Sequence, residues 1–334
     1  MIDRQELKRR AKLELKKSFW QGYLLVFAKN FISSTIKMLV TFIISLFGFG
    51  VVFRLASATL GQMLTVRSQD EMLSALLTSI QLSKYTFFIN FFQMGVLIVC
   101  QLLVFNQLRT GVNLWFSRNR ESVQAPRFSL LFYNFSAKGY GGIFRGMAWR
   151  DFWLGLWRLP NFIIVNLITY GVLVFSEKLL RIYQNIYSSR QLEGLVEQLV
   201  LPRLLPLILG GCLLALICLA FAILAGVKSY AYRTTEWILA DNPNIDYRRA
   251  LKISREMVKG YKWQWFVLDL SFIGWYALFI LLLPFYFFTR PLLESYVTAC
   301  SAGFYSQIRD RYVAAGNLSM EDLGFVKLDG SSAC

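Results

Sequence analysis

The sequence has no histidine in its 334 residues. This removes the commonest general base, the Ser-His-Asp and Cys-His arrangements, and every imidazole metal ligand. Cysteine is sparse. Of five, Cys100, Cys212, Cys218 and Cys300 fall in apolar runs, Cys334 ends the chain, and none forms a C-x-x-C. They read as buried free thiols acting as small hydrophobes, not as redox or metal groups. There is no Walker loop, and no G-x-G-x-x-G lies between a strand and a helix. Charge is scarce at 17% of residues, where soluble chains carry about a quarter. Acidic charge is scarcer still, with 20 residues against 36 basic ones. No two carboxylates are placed for acid–base work, and no oxygen-rich cluster marks a cation site, so neither an enzyme nor a metal or cofactor is expected. The N-terminal MIDRQELKRRAKLELKKSFW is basic but includes acids, and no A-x-A-like site follows it. It does not read as a removable signal peptide.

Apolar residue is what the chain has in excess: 56% hydrophobic and 16% aromatic, with a mean hydropathy of +0.45. A net charge of +16 hints at nucleic acid, but nucleic-acid binders are not this apolar, and no such partner is expected. A polytopic membrane protein accommodates both properties. Residues 86–108 and 204–227 contain no charge; 152–175 contains only Arg158, with Pro160 inside it; 263–289 contains only Asp269, with Pro284 near its end. Two weaker runs flank these: 31–53, interrupted by Lys37, and 292–308, which holds Glu294. The expected fold is all-α, a bundle of about six transmembrane spans forming one integral membrane domain over 1–334. Residues 318–334 are expected as a polar, mobile tail.

Charge counting orients the spans. Residues 1–18, 109–151 and 228–262 carry net charges of +4, +5 and +4, while 54–85 and 176–203 carry +1 each. Basic residues alone divide 22 against 7. The positive-inside rule then puts the first three segments, the N-terminus and the C-terminus in the cytoplasm. Within the third segment, Asn244 or Asp246 can cap a helix that Gly260 ends. Its apolar residues recur every three or four positions, and Arg248, Arg249, Lys252, Arg255 and Lys259 decorate the other sides. Such a helix can lie on the anionic inner leaflet, where each basic residue contributes about 1 kcal/mol, or pack on the protein's own cytoplasmic ends. A Gly-Tyr step at 22–23, 139–140 and 260–261 fits either three related hairpins or the ordinary make-up of a membrane boundary.

From Ile238 the chain reads ILADNPNIDYRRALKISREMVKGYKWQWFVLDLSFIGW. This resembles the hallmark of the bacterial membrane family known as domain of unknown function 975. The matching positions are Tyr232, the ILADNP stretch with Asp241, Asn242 and Pro243, then Ala250, Leu251, Ser254, Met257, Gly260, Lys262 and Trp263. Leu270 to Trp275 follow, including Ser271, Gly274 and Trp275, and Phe304-Tyr305 is similar to the family's closing pattern. The chain departs from the pattern where ALFILLLPFYFFTRPLLESY replaces a glycine-rich stretch, and in the long segment 176–203. The resemblance implies a multi-pass, mostly helical protein of the bacterial cell membrane. It implies no reaction.

Charges inside spans carry a cost and usually have partners. Arg158 and Asp269 each lie six residues into an outward-running span, about 9 Å past the same boundary at 1.5 Å per residue. They are expected either to pair or to reach separately for the interface. Lys29 and Lys37 fall on neighbouring faces of the first span, and Glu294 is expected to pair with Arg290 four residues earlier. Prolines 160, 206, 284 and 291 interrupt spans, as in transport sites or as tolerated breaks near span ends. Two functions follow. One is a non-enzymatic scaffold, assembly or envelope-homeostasis factor acting through lipid and membrane-protein contacts. The other is a component of a small-molecule or peptide transporter or exporter. An enzyme acting on lipid-linked substrates would need an unusual site without histidine or an acidic pair. The sequence does not specify an oligomeric state.

Overall fold

A computed structural model of the protein describes residues 2–65, 69–136, 139–187, 201–281 and 285–325, and it is helical with no strand among them. In chain order the helices are α1 Arg4–Lys16, α2 Phe19–Thr65, α3 Gln69–Cys100, α4 Asn106–Glu121, α5 Tyr140–Tyr187, α6 Leu201–Ala231, α7 Thr235–Asp241, α8 Tyr247–Met257, α9 Lys262–Leu270, α10 Ile273–Leu281 and α11 Tyr286–Ala314. A π-helical turn, Gln101–Phe105, joins α3 to α4, and 3₁₀ turns occupy Phe128–Phe135 and Glu321–Leu323. The chain divides into two compact units: Met1–Ile36 with Val99–Gly155 and Gly226–Cys334, and Lys37–Ile98 with Leu156–Ala225.

The first unit is built around α4. Residues on every side of that helix are buried, among them Asn106, Gln107, Leu108, Thr110, Val112 and Trp115. A helix buried all round must satisfy its polar side chains internally. Asn134 donates to the Thr110 hydroxyl at 2.8 Å, and the Trp115 indole donates to the Pro126 carbonyl at 3.0 Å. The Phe128–Phe135 turn lies close against α4, where a Cβ on Gly111 would fall 2.4 Å from the Leu131 carbonyl oxygen. Only glycine admits that approach. Residues 109–151, expected as a basic cytoplasmic loop, therefore supply the centre of a core completed by Trp237, Trp265, Phe304 and Tyr305. Asp3 caps α1, accepting from the amide of Gln5 at 2.9 Å, and Leu7, Ala11 and Leu15 bury one face of that helix.

The second unit inverts this pattern. Its four helical stretches belong to α2, α3, α5 and α6. They expose Met38 (74%), Phe92 (65%), Leu167 (67%) and Leu216 (63%). Links between them include an ion pair of Lys84 with Glu177, a hydrogen bond from Gln93 to Thr41 at 2.8 Å, and aromatic contacts of Phe87 and Phe88 with Tyr170 and of Phe91 with Phe162.

Among the described residues, four helical stretches are long and apolar enough to cross a membrane: Phe19–Leu46, Glu71–Glu121, Tyr140–Ile182 and Leu209–Asp241. Four, not six, meet that requirement. The expected span at 263–289 divides into α9 and α10 at a turn over Ser271 and Phe272, and Pro284 lies outside the described residues. The expected span at 292–308 falls inside α11, where Ser295, Ala299, Ser301, Ala302, Gly303 and Ser306 are buried in protein. Hydropathy alone does not distinguish burial in protein from burial in lipid.

Other expectations are also revised. Residues 318–325 are docked, not mobile: Leu318 and Leu323 are buried, and Asn242 donates to the Asp322 carbonyl at 2.9 Å. Residues 326–334, Cys334 included, lie outside the described residues. The three Gly-Tyr steps differ locally. Gly22 is inside α2, Gly139 precedes α5, and Gly260 turns left-handed at φ 86° between α8 and α9. Cys300 is buried, but Cys212 is exposed.

Candidate functional site

The two motif segments, some sixty residues apart, meet in the first unit. Asp241 ends α7, and the Tyr305 hydroxyl of α11 donates to its carboxylate at 2.7 Å. One turn further along α11, buried Arg309 lies 3.7 Å from the same carboxylate and donates to Glu121 of α4 at 3.0 Å. The guanidinium also covers the rings of Tyr305 and Phe325, 5.7 and 4.7 Å from their centroids. Trp237 stacks on Tyr305 at 5.7 Å. A buried carboxylate is tolerable here because it has both a hydroxyl donor and a cation.

Each residue of the Asp-Asn-Pro motif has a separate task. The Asn242 side chain holds the Asp322 carbonyl and accepts the Asn244 amide at 3.0 Å, which shapes the turn out of α7. The Pro243 carbonyl sits against α5, where a Cβ on Gly142 would fall 1.8 Å from its oxygen. A Cβ on Gly146, one turn on, would meet the Leu239 side chain at 2.6 Å. Ser254 of α8 donates to the Ala231 carbonyl at 3.1 Å and accepts from Thr234 at 2.8 Å. Phe304 packs on Trp265, with centroids 4.6 Å apart. In contrast, Ser271 and Gly274 are exposed, and Trp275 is 54% exposed. The buried member of LSFIGW is Phe272, over whose ring the Lys8 ammonium sits at 4.5 Å.

Asp269 and Arg158 fall in different units. Asp269 forms an ion pair with Arg233 and accepts from the Tyr230 hydroxyl at 2.7 Å, while Arg158 lies on an exposed face of α5. Glu294 likewise takes Lys29 as its main partner and accepts from Asn30 at 2.7 Å, with Arg290 further away at 3.8 Å. The sequence reading missed a further network. Arg150 bridges Asp151 at 2.7 Å and Glu236 at 2.9 Å, and Asn106 donates to Asp151 at 2.7 Å. A polar cavity of about 200 Å³ borders these groups, lined by Lys29, Arg109, Asn113, Arg233, Trp237 and Glu294 among others. The Asn113 amide nitrogen and Trp237 indole nitrogen are buried there without a hydrogen-bond partner among the described residues. The only signal for this network was the density of Asn, Gln and Thr between 106 and 119, unusual for a loop next to Trp115 and Phe116.

Helix α8 forms as the sequence indicated. Asp246 caps it, accepting from the amides of Arg248 and Arg249 at 3.1 Å, and Gly260 reverses the chain after it. Its apolar face (Ala250, Leu251, Ile253 and Met257) is buried in protein, the second of the two arrangements open to it. The basic face remains outward. Arg248 covers the ring of Tyr247 at 5.4 Å, Arg249 pairs with Asp322 at 3.2 Å, and Lys252, Arg255 and Lys259 are exposed. Next to these cations, Tyr312 donates to Glu256 at 2.8 Å. Burial, and then this hydrogen bond, push the phenol up to about 12.

Among the described residues, no group of three or more Cys, Asp or Glu is placed to hold a metal ion. A family model described as protein of unknown function (DUF975) matches residues 1–312. No curated protein and no solved structure matches the chain.

Proposed function

The chain belongs to the DUF975 family of proteins of unknown function, and on that premise we propose that it is a non-enzymatic integral membrane protein that works through lipid and protein contacts. The role is that of a scaffold, assembly or envelope-homeostasis factor in a bacterial cell membrane. One observation carries this reading. The motif residues Asp241, Asn242, Pro243 and Tyr305 are occupied in holding the first unit together, whereas the surface offers apolar helices and a basic face. A chain whose signature residues build its core acts through its surfaces.

The four apolar stretches cross the bilayer, with both termini and the basic segments cytoplasmic, as the division of 22 basic residues against 7 favours. Helix α10 and the start of α11, both within the fifth apolar run, enter to half depth, while the sixth run stays in the core of the first unit. At 1.5 Å per residue, α10 is about half the roughly 30 Å hydrocarbon thickness. Ile273, Trp275, Phe285 and Phe288 along α10 and the start of α11 are exposed. Cysteine-accessibility mapping in a cysteine-free background tests the topology: labels at 228–262 are expected to react only after the membrane is opened. Reaction from outside intact cells overturns it.

The polar cavity favours a second reading, a transporter or exporter component. It is lined by Arg233, the partner of Asp269, and by Asn113 and Trp237, whose side-chain N–H groups have no hydrogen-bond partner among the described residues. Proteoliposome flux separates the two. The scaffold reading expects solute gradients to persist in vesicles carrying the protein, and dissipation of an anion or peptide gradient overturns it.

A further inference from the structure

Five cations, Lys228, Lys252, Arg255, Lys259 and Lys262, line a surface groove of about 550 Å³, with Glu256 the only acid among the lining residues. Three segments assemble it: the last turn of α6, the outward face of α8 and the start of α9. Lys252 and Arg255 stand three positions apart on α8, so helical spacing puts them on one side, and Lys259 joins them from the turn that follows the helix. Gly260 reverses the chain at φ 86°, which returns Lys262 to the same groove. The Met-x-x-Gly-x-Lys stretch from Met257 to Lys262 thus gains a structural account: the glycine turns the chain and the lysine closes the site. Lys228 follows the last residue of the apolar run 209–227 directly, so the groove opens where that helix leaves its apolar stretch.

We propose that this groove is a binding site for the headgroup of an anionic lipid bearing two phosphates. The proposal rests on the membrane reading above. Four of the lining cations, Lys252, Arg255, Lys259 and Lys262, fall within eleven residues, and a single phosphodiester brings one negative charge to them where a two-phosphate headgroup brings two. Lysines supply point charges around the rim, and the Arg255 guanidinium can grip one phosphate with two parallel N–H donors. Basic pockets of this kind at the cytoplasmic surface select multiply charged headgroups over the diffuse attraction that any basic face exerts.

The test uses the full chain purified in maltoside and inserted into phosphatidylcholine nanodiscs doped with cardiolipin, which carries two phosphates, or with phosphatidylglycerol, which carries one. Bound lipid is counted by native mass spectrometry after release. One cardiolipin per chain is expected to be retained saturably, roughly tenfold more tightly than phosphatidylglycerol at equal total charge. Lys252→Ala with Arg255→Ala is expected to lose that preference, and Lys12→Ala with Lys16→Ala, exposed on α1, to keep it. All four positions are exposed, so misfolding is not expected to mask the result. Equal retention of the two lipids, or retention unchanged in the Lys252/Arg255 variant, overturns the proposal while leaving the membrane reading intact. Competition by inorganic pyrophosphate as strong as by cardiolipin overturns it in favour of a soluble diphosphate. Failure of the folded chain to enter nanodiscs overturns the membrane reading itself.

Discussion

The two units draw on the same apolar alphabet and place it in opposite ways. In the first, Trp115, Trp237 and Trp265 are almost wholly buried, and charged groups inside are matched to partners. In the second, the outer faces of the helices carry Leu, Ile and Phe, and none of the apolar windows within Glu71–Glu121 and Tyr140–Ile182 is buried inside the protein. The first unit supplies its own nonpolar phase; the second needs one from outside. A residue's cost of removal should therefore depend on its unit more than on its type.

Glycine breaks this comparison most sharply. Gly142→Val would drive a side chain into the Pro243 carbonyl, a backbone atom that cannot step aside. It is expected to cost roughly 3 kcal/mol or more, enough to remove the cooperative thermal transition followed by tryptophan fluorescence in detergent. Gly171→Ala, in the second unit, has nothing within 4 Å of the added carbon. It is expected to stabilise its helix by about 0.5–1 kcal/mol. Similar losses at both sites would erase the distinction.

Arginine gives the next largest contrast. Arg309→Ala leaves the Asp241 carboxylate buried without its cation, and such losses cost about 3–5 kcal/mol. Arg158→Ala takes a charge off an exposed face of an apolar helix and is expected to leave stability unchanged or higher. Tyrosine hydroxyls repeat the contrast at lower amplitude. Tyr305→Phe removes the 2.7 Å hydrogen bond to Asp241, at about 1–3 kcal/mol. Tyr170→Phe keeps the ring contacts to Phe87 and Phe88 and is expected to shift the transition by less than about 0.5 kcal/mol. Urea or thermal denaturation in one detergent checks all four.

The contrast also explains which parts of the fold the sequence revealed. Residues 86–108, 152–175 and 204–227 were legible because nearly every position was apolar, and a helix facing lipid asks for nothing else. The α8 cap at Asp246 and stop at Gly260 were legible because they are local. The partners of Asp269 and Glu294 were not. Arg233 and Lys29 reach them only through turns and tertiary approach, which no spacing rule contains. The central role of α4 was hidden for a related reason. Arg109, Arg118 and Arg120 made the segment count as a basic loop, although Arg120 is spent on Glu14 at 2.8 Å. Charge counting does not register whether a segment is buried in protein.

The smallest expected effect lies at the edge of the first unit. Ser319 and Asp322 form a reciprocal turn: the Ser319 amide donates to the Asp322 carboxylate at 3.2 Å, and the Asp322 amide donates to the Ser319 hydroxyl at 3.1 Å. The Ser319 side-chain and backbone hydrogen bonds, then the Arg249 charge, hold the Asp322 carboxyl below its usual range. A carboxylate depressed in the folded state adds stability above its unfolded value, and that contribution disappears as pH falls through the folded one. The 318–325 segment is therefore expected to keep its hydrogen-exchange protection at pH 5–7 and to lose part of it below about pH 4. Asp322→Asn should show the same weak protection at every pH. Residues 156–170 of the second unit contain no carboxylate, so exchange along them should not respond over the same range. A parallel acid loosening of both regions would mean that the carboxylate turn is not its source.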